Sequence, residues 1–203
     1  MIKGYIQVNL FDMIKQLGED RTQSVLSDFF CPLNKDVEDF LRNTSVEFAK
    51  QRIAATHLVF TSYKNSQVLI GYFTLASKAI VVYKSGLSKR LQKRISKFAQ
   101  YDTNLKRYTL SAPLIAQLGK NFTNDYNALI TGDELLLMAC KKVEKIQLDL
   151  GGKLVYLECE NKPKLIDFYS GNGFINFGQR KLEGNEVSIF EGEYLVQMLK
   201  YLS

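Results

Sequence analysis

One segment near the C-terminal end of the chain, residues 154–174, constrains the fold more than any other. It reads as an apolar strand (LVYLECE), a polar corner, a short helix carrying Tyr169, and the turn Gly171-Asn172-Gly173 into another strand. Glycines there permit a positive φ and a sharp exit from the helix. We expect this helix to direct the Tyr169 hydroxyl back towards the end of the preceding strand.

Hydrophobic periodicity predicts the remaining elements. The strand and hairpin signals indicate an antiparallel pair around Asn65-Ser66, and a last hairpin around Glu183-Gly184-Asn185. Helices are predicted at residues 10–23, 32–51 with Asn34 as N-cap, 85–100, 132–150 and 192–202. Strands are predicted at 56–64, 67–82 and 106–121, and a turn followed by a strand at 151–160. A hairpin in the first half and alternating helices and strands in the second favour an α+β fold. We expect a mixed, mostly antiparallel sheet with helices on both faces.

Length and composition limit the class of protein. The 203 residues, 46% of them hydrophobic, are enough for one sizeable domain. We predict a single domain over residues 26–203, with residues 1–25 as an N-terminal extension packed on it. Because no apolar run approaches the length of a membrane helix and the N-terminus is a poor signal peptide, we expect a cytoplasmic protein without a membrane partner. Cys31, Cys140 and Cys159 show no metal-ligand spacing, so we expect reduced thiols and no metal.

The positive charge of the chain is concentrated in one segment. The formal net charge is +6, yet eight Lys and Arg against one Asp lie between Lys84 and Arg107. Leu87, Leu91, Ile95 and Phe98 recur at the spacing of an amphipathic helix. The candidate substrate-binding residues are the cations on its other face: Lys89, Arg90, Lys93, Arg94 and Lys97. Such a face suits nucleic-acid phosphates, an acidic partner or the phosphates of a cofactor, and it is also compatible with a plain solvated surface.

Three segments carry a family resemblance: FYSGNGF at residues 168–174, PLIAQLGKN at 113–121 and NALITGDELL at 127–136. They resemble the GNAT acyltransferase superfamily, which implies acetyl-CoA as the cofactor. The resemblance places Tyr169 beside the thioester sulfur, as the catalytic residue. It also implies that the strand backbone at Leu118, Gly119 and Lys120 pairs with the pantetheine arm.

The same resemblance assigns the diphosphate to a loop that opens a helix, where backbone N–H groups and the helix dipole bind anions. The loop residues carried over are Asn127, Ile130, Thr131, Gly132 and Asp133. The family pattern has Gln or Arg at position 127 and Gly at position 130, so only Gly132 agrees with it.

The first half, with FFCPLNKDVEDFL and IGYFTL, is similar to the tRNA-acetylating toxin branch. The expected function is therefore acetyl transfer to a primary amine, with the α-amine of an aminoacyl-tRNA or another polyanion as the specific acceptor. Small-molecule and protein amines are alternatives, as is a degenerate domain that binds without turnover. A homodimer is one oligomeric option.

The reaction implied is attack of a neutral amine on the thioester. An α-amine, with a pKa near 8, is neutral often enough to need no dedicated base. Glu158 and Glu160 share one face of their strand and could order a water or take a proton, or be solvated. His57, the only histidine, is expected to have a packing or surface role.

Overall fold

The computed structural model describes residues 4–182, 184, 186 and 192–202. The chain divides into two compact units. The first comprises Met1–Ala76 and Ile115–Lys141, and the second comprises Ser77–Leu114 and Lys142–Ser203. None of the described helices is long and apolar enough to span a lipid bilayer. The predicted division at residue 25 stays a prediction.

The described elements keep the predicted order over most of the chain, with two short strands that were not predicted, at residues 6–9 and 100–102, and a strand in place of the predicted last helix. The helices are α1 (Leu10–Leu17), α2 (Glu19–Ser27), α3 (Lys35–Asp39), α4 (Ser45–Lys50), α5 (Lys89–Ile95), α6 (Gly132–Leu150) and α7 (Pro163–Gly171). The strands are β1 (Ile6–Asn9), β2 (Ala55–Tyr63), β3 (Ser66–Tyr83), β4 (Gln100–Asp102), β5 (Arg107–Lys120), β6 (Leu154–Glu160), β7 (Ile175–Lys181) and β8 (Tyr194–Tyr201). A π-helical turn at Phe40–Thr44 joins α3 to α4, and 3-10 turns lie at Lys84–Gly86 and Thr123–Leu129.

In the first unit, β1, β2 and the first part of β3 form an antiparallel sheet. The β2–β3 hairpin turns at Lys64 and Asn65, whose φ angles are 47° and 62°. Positive φ at both central residues matches the right-handed twist of the strands, so the predicted hairpin is confirmed. The helix predicted at 10–23 is broken at Gly18, where φ is 82°. The core of this unit holds fully buried side chains from α1, α2, the loop after α2, β2 and β3, among them Leu10, Leu26, Phe29, Leu58 and Tyr72.

In the second unit, the strand order is β3-β5-β6-β8-β7, and β4 pairs with β5. The β5–β6 pair is parallel, with Leu114 opposite Tyr156. The described pairs of β4 with β5, β6 with β8 and β7 with β8 are antiparallel. The predicted α+β class with a mixed, mostly antiparallel sheet is therefore confirmed.

The terminal helix predicted at residues 192–202 is wrong. Tyr194–Tyr201 is β8, which pairs with β6 on one side and β7 on the other. Both its faces are covered, because Leu195, Val196, Met198 and Leu199 are all buried. A strand buried on two faces loses the alternation that marks a strand, and its apolar spacing then imitates a helix. The second strand of the predicted last hairpin, with Glu183 and Asn185, lies outside the described residues.

Candidate functional site

Tyr169 lies near the C-terminal end of α7. Pro163, at the first position, suits a helix start because its missing N–H would have no partner there. The helix ends as predicted: the Phe174 amide donates to the carbonyl of Tyr169 at 3.0 Å, and Gly173 takes a φ of 80°. This closure fixes the backbone of Tyr169 between the helix and β7.

The Tyr169 side chain is held by two aromatic rings. Its ring stands edge-on to Phe168 and Phe174, with centroid distances of 4.9 and 5.9 Å. Burial raises the pKa of its hydroxyl, and the thiol of Cys159 on β6 adds to the increase. Within the described residues this hydroxyl makes no hydrogen bond. A hydroxyl in this state stays protonated at neutral pH and is able to donate to a group from outside the chain.

The predicted cofactor strand lies at the end of β5. Gly119 packs so closely that a Cβ there would meet Val37 Cγ1 at 2.4 Å and Tyr72 Cε1 at 3.2 Å. Lys120 Nζ donates to the carbonyl of Asn127 at 3.0 Å, so the structure brings these two predicted residues together. The described β5–β6 register has one pair, at Leu114, and includes none of Leu118, Gly119 and Lys120.

The predicted diphosphate loop leads into α6. Asn124 and Asp125 both adopt left-handed backbone angles, and Ile130 is buried. Thr131 and Glu134 form a reciprocal capping box. The Thr131 amide donates to Glu134 Oε2 at 2.8 Å, and the Glu134 amide donates to Thr131 Oγ1 at 3.1 Å.

This capping box bears on the predicted anion site. Gly132 is the first residue of α6, and Asp133 and Glu134 are acidic residues of its first turn. Two of the amides that would face a diphosphate are already satisfied within the chain, and the carboxylates oppose an anion electrostatically. The positive end of the helix dipole is retained.

The predicted basic helix is α5, which begins at the cap Ser88 and ends at Ile95, earlier than predicted. Leu91 and Ile95 are buried as expected, whereas Phe98, beyond the helix end, is 38% exposed. Arg94 lies over the ring of Tyr201, with its Cζ 4.9 Å from the centroid. The cations left on the exposed surface are Lys89, Arg90, Lys93 and Lys97, and Lys97 lies past the helix end.

Sequence reasoning missed a buried charge cluster around Glu158. Arg180 Nε and Nη2 donate to its two carboxylate oxygens, each at 2.6 Å. Lys78 Nζ lies 3.1 Å from Oε2, and the Tyr156 hydroxyl donates to Oε1. Tyr156 and Glu158 lie on one face of β6, two residues apart. No sequence signal indicated Arg180, which lies two strands away on β7.

The cluster determines what Glu158 is able to do. Burial acts to raise its pKa, but the hydrogen bonds from Arg180 and Tyr156 and the charge of Lys78 prevail and lower it to about 2. A carboxylate with so low a pKa is a weak base at neutral pH, so it does not suit the proton acceptor considered from the sequence. Glu160, the other candidate, forms an ion pair with Lys162 at 3.1 Å.

The remaining candidate residues, His57 and the three cysteines, are packed inside the fold. His57 is buried and stacks on Phe73 with a centroid distance of 5.0 Å. All three cysteines are buried, and none of them forms a disulfide. No group of His, Cys, Asp and Glu side chains in the described ranges is arranged to hold a metal ion.

Comparison with known proteins identifies the fold. No family model matches the sequence, and no curated protein does. Among solved structures, AtaT complexed with acetyl-methionyl-tRNA matches with a TM-score of 0.63 at 18% identity, over 96% of this chain and 94% of that one. A mutant of KacT matches with a TM-score of 0.62 at 16% identity, over 95% and 93%. AtaTR bound with acetyl-CoA matches with a TM-score of 0.55 at 17% identity, over 97% and 93%. The chain therefore has the GNAT-like fold that the resemblance implied.

Proposed function

We propose that this protein is an acetyl-CoA-dependent N-acetyltransferase whose acceptor is a primary amine on a polyanion, specifically the α-amine of an aminoacyl-tRNA. The observation that carries the proposal is the half-buried Tyr169 at the end of α7, whose hydroxyl has no hydrogen-bond partner among the described residues, in a chain that shares the AtaT fold over nearly its whole length. Acetyl-CoA supplies the activated acetyl group.

The end of β5 fits a pantetheine arm. An extended amide-bearing ligand is able to pair with a strand edge through main-chain hydrogen bonds, which need no particular side chains. Leu118, Gly119 and Lys120 lie beyond the described β5–β6 register, which supports this role. The loop from Asn127 to Asp133 would then hold the diphosphate at the start of α6, by dipole and backbone amides.

Tyr169 would stabilise the departing thiolate by donating its hydroxyl proton in a hydrogen bond. Full proton transfer is not required, because hydrogen-bond donation alone stabilises developing charge in a site that excludes water. The raised pKa of Tyr169 keeps the donor present, and the rings of Phe168 and Phe174 hold it in place.

The choice of an α-amine follows from the state of Glu158. With a pKa of about 2, Glu158 gives little help in deprotonating the acceptor. A lysine amine, with a reference pKa near 10.4, would then be neutral about two orders of magnitude less often than an α-amine near 8. An α-amine therefore suits a site in which Glu158 is a weak base.

The tRNA acceptor is supported by the exposed cations of α5 and by the AtaT complex with acetyl-methionyl-tRNA. KacTA has been solved with DNA and AtaT with its antitoxin AtaR, so a nucleic acid and an antitoxin are proposed partners.

Cytoplasmic localisation and a homodimer stay predictions. The capping box at Thr131 and Glu134 favours one alternative, a domain that binds a partner without turnover.

Two measurements test the proposal: calorimetric titration with acetyl-CoA, and acetyl transfer to charged tRNA and to a panel of small amines. We expect saturable cofactor binding and transfer to the α-amine of charged tRNA. An absence of cofactor binding would refute the enzyme. Transfer to small amines alone would refute the tRNA acceptor.

A further inference from the structure

The second unit contains a cavity of about 620 Å³. Its charged lining residues are Lys78, Arg107, Glu158 and Arg180, three cations and one carboxylate. The apolar part of the lining includes the side chains of Ile80, Val82 and Phe177. Because its one carboxylate is surrounded by cations, the cavity favours a negatively charged ligand.

Glu158 and Arg180 are occupied by each other and by their neighbours. The carboxylate of Glu158 accepts from Arg180, Lys78 and Tyr156. Arg180 also donates to both oxygens of Glu186, at 2.6 and 2.7 Å. An ammonium group would therefore find no acceptor free on Glu158, which argues against an amine as the ligand of this cavity.

Arg107 differs from Arg180. Its Nε is buried and has no hydrogen-bond partner in the part of the chain that the structure describes. The residue opposite it in the β4–β5 register is Asp102. The Asp102 carboxylate instead accepts from the amides of Asn104 and Leu105, both at 3.0 Å, and closes the turn. A buried donor without an acceptor costs about 1–3 kcal/mol, so an external acceptor would relieve a real penalty.

We propose that this cavity, which Lys78 also lines, binds an oxyanion, a phosphate or carboxylate group of the acceptor, on the guanidinium of Arg107. A guanidinium matches either group through two parallel N–H···O bonds. The identification of the ligand as part of the acceptor rests on the proposed function. The oxyanion site itself rests on the cavity and on Arg107.

The cavity lies on the strand that precedes the helix of Tyr169. Glu158 of β6 lines the cavity, and the next residue, Cys159, adds to the raised pKa of Tyr169. Successive strand residues point to opposite faces of a sheet. The proposal therefore places the oxyanion of the acceptor and Tyr169 on opposite faces of β6.

Binding is tested without acetyl-CoA, on the full chain. Side-chain ¹H–¹⁵N spectra would follow the Arg107 Nε–H resonance during titration with inorganic phosphate and, separately, with acetate. We expect a saturable shift of this resonance. The anion that binds more tightly shows whether the site prefers a phosphate or a carboxylate group. An unchanged resonance with both anions would overturn the site, and this result requires no variant to fold.

Variants separate the cavity from general charge effects. Arg107→Gln should weaken binding of the preferred anion at least tenfold, and Arg107→Lys should weaken it less. The matched control, Arg21→Gln, removes one positive charge from an exposed position on α2 and should leave binding within twofold. Equal losses in Arg107→Gln and Arg21→Gln would overturn the proposal.

A kinetic arm tests whether the group belongs to the acceptor. The KM values of two anionic amines, O-phosphoethanolamine and β-alanine, are compared with that of ethanolamine. We expect one of the anionic amines to have the lowest KM of the three. Arg107→Gln should abolish this difference in KM. Equal KM values for all three would overturn the acceptor assignment. Anion binding without transfer to any amine, charged tRNA included, would instead refute the proposed function and leave the oxyanion site standing.

Discussion

Glu158 on β6 and Arg180 on β7 form a two-point ion pair, with Nε–Oε1 and Nη2–Oε2 both at 2.6 Å. The two strands are not neighbours, because β8 lies between them. The side chains therefore meet across β8, where Gln197 supports Tyr156 by donating to its hydroxyl at 2.8 Å. This cluster ties three strands together on one face of the sheet.

The pair should make the stability of the protein depend on pH. The pKa of Glu158 is about 2 in the folded chain, below its ordinary value. A carboxyl group with a lowered folded pKa stabilises the protein above its unfolded pKa of about 4.3, and this contribution is lost as the pH falls towards 2. We expect the free energy of unfolding of wild type to fall more steeply over this interval than that of Glu158→Gln.

Urea denaturation at a series of pH values between 2 and 6 measures this difference, because all other carboxylates are common to both proteins. Wild type should be the more stable protein at pH 6, and the gap should narrow as the pH falls. Parallel curves for the two proteins would contradict the assignment of a lowered pKa to Glu158.

Gly119 should be required for packing. A Cβ there would lie 2.4 Å from Val37 Cγ1. Val37 is held in place, because its carbonyl accepts a hydrogen bond from the Tyr72 hydroxyl at 2.5 Å. Gly119→Ala should therefore destabilise the fold by about 1–3 kcal/mol, the usual cost of overpacking. Equilibrium denaturation measures it.

Gly171 gives a matched control for the same change. An added Cβ meets nothing within 4 Å there, and Gly171→Ala should leave stability nearly unchanged. Adding Val37→Ala to Gly119→Ala should recover part of the loss, since it removes the clashing methyl group. No recovery would show that the cost arises elsewhere.

Tyr169→Phe should lower kcat for acetyl transfer at least about tenfold while the fold is retained, because a hydrogen-bond donor at a developing charge is typically worth more than that. The raised pKa of Tyr169 also means that tyrosine ionisation should not reduce the wild-type rate between pH 7 and 10. Tyr101→Phe, at an exposed tyrosine of the same unit, is the control and should be silent. Wild-type turnover in Tyr169→Phe would remove its proposed role.

Structural features that depend on residues close in sequence were predictable, and features that depend on long-range strand pairing were not. The glycine turn after Tyr169, the Asn34 cap and the hairpin at Asn65 were predictable because each depends on residues close in sequence. The Glu158–Arg180 pair and the strand character of 194–201 were not, because both depend on which strands become neighbours. For the same reason, the partnerless Nε of Arg107 has no signature in the sequence.

Charge reversal on α5 tests the proposed tRNA surface. Lys89, Arg90 and Lys93 are exposed on α5 and have no ion-pair partner in the described ranges, so Glu at all three should leave the fold intact. Affinity for tRNA should fall at least tenfold. Each lost phosphate contact should also reduce the slope of log K against log salt by about 0.7–0.9. Filter binding over a range of salt concentrations measures both quantities.

A control with the same change in net charge decides whether the effect is local. Lys141, Lys145 and Lys164 are also exposed, and they lie outside the basic segment. Reversal of these three should weaken binding much less, because counterion release depends on contacts at the interface and not on total charge. An enzyme that acetylates small amines would transfer acetyl groups equally well in both triple variants, whereas one that acts on aminoacyl-tRNA should lose transfer only when α5 is reversed. Equal losses of tRNA affinity in the two variants would contradict a tRNA surface on α5.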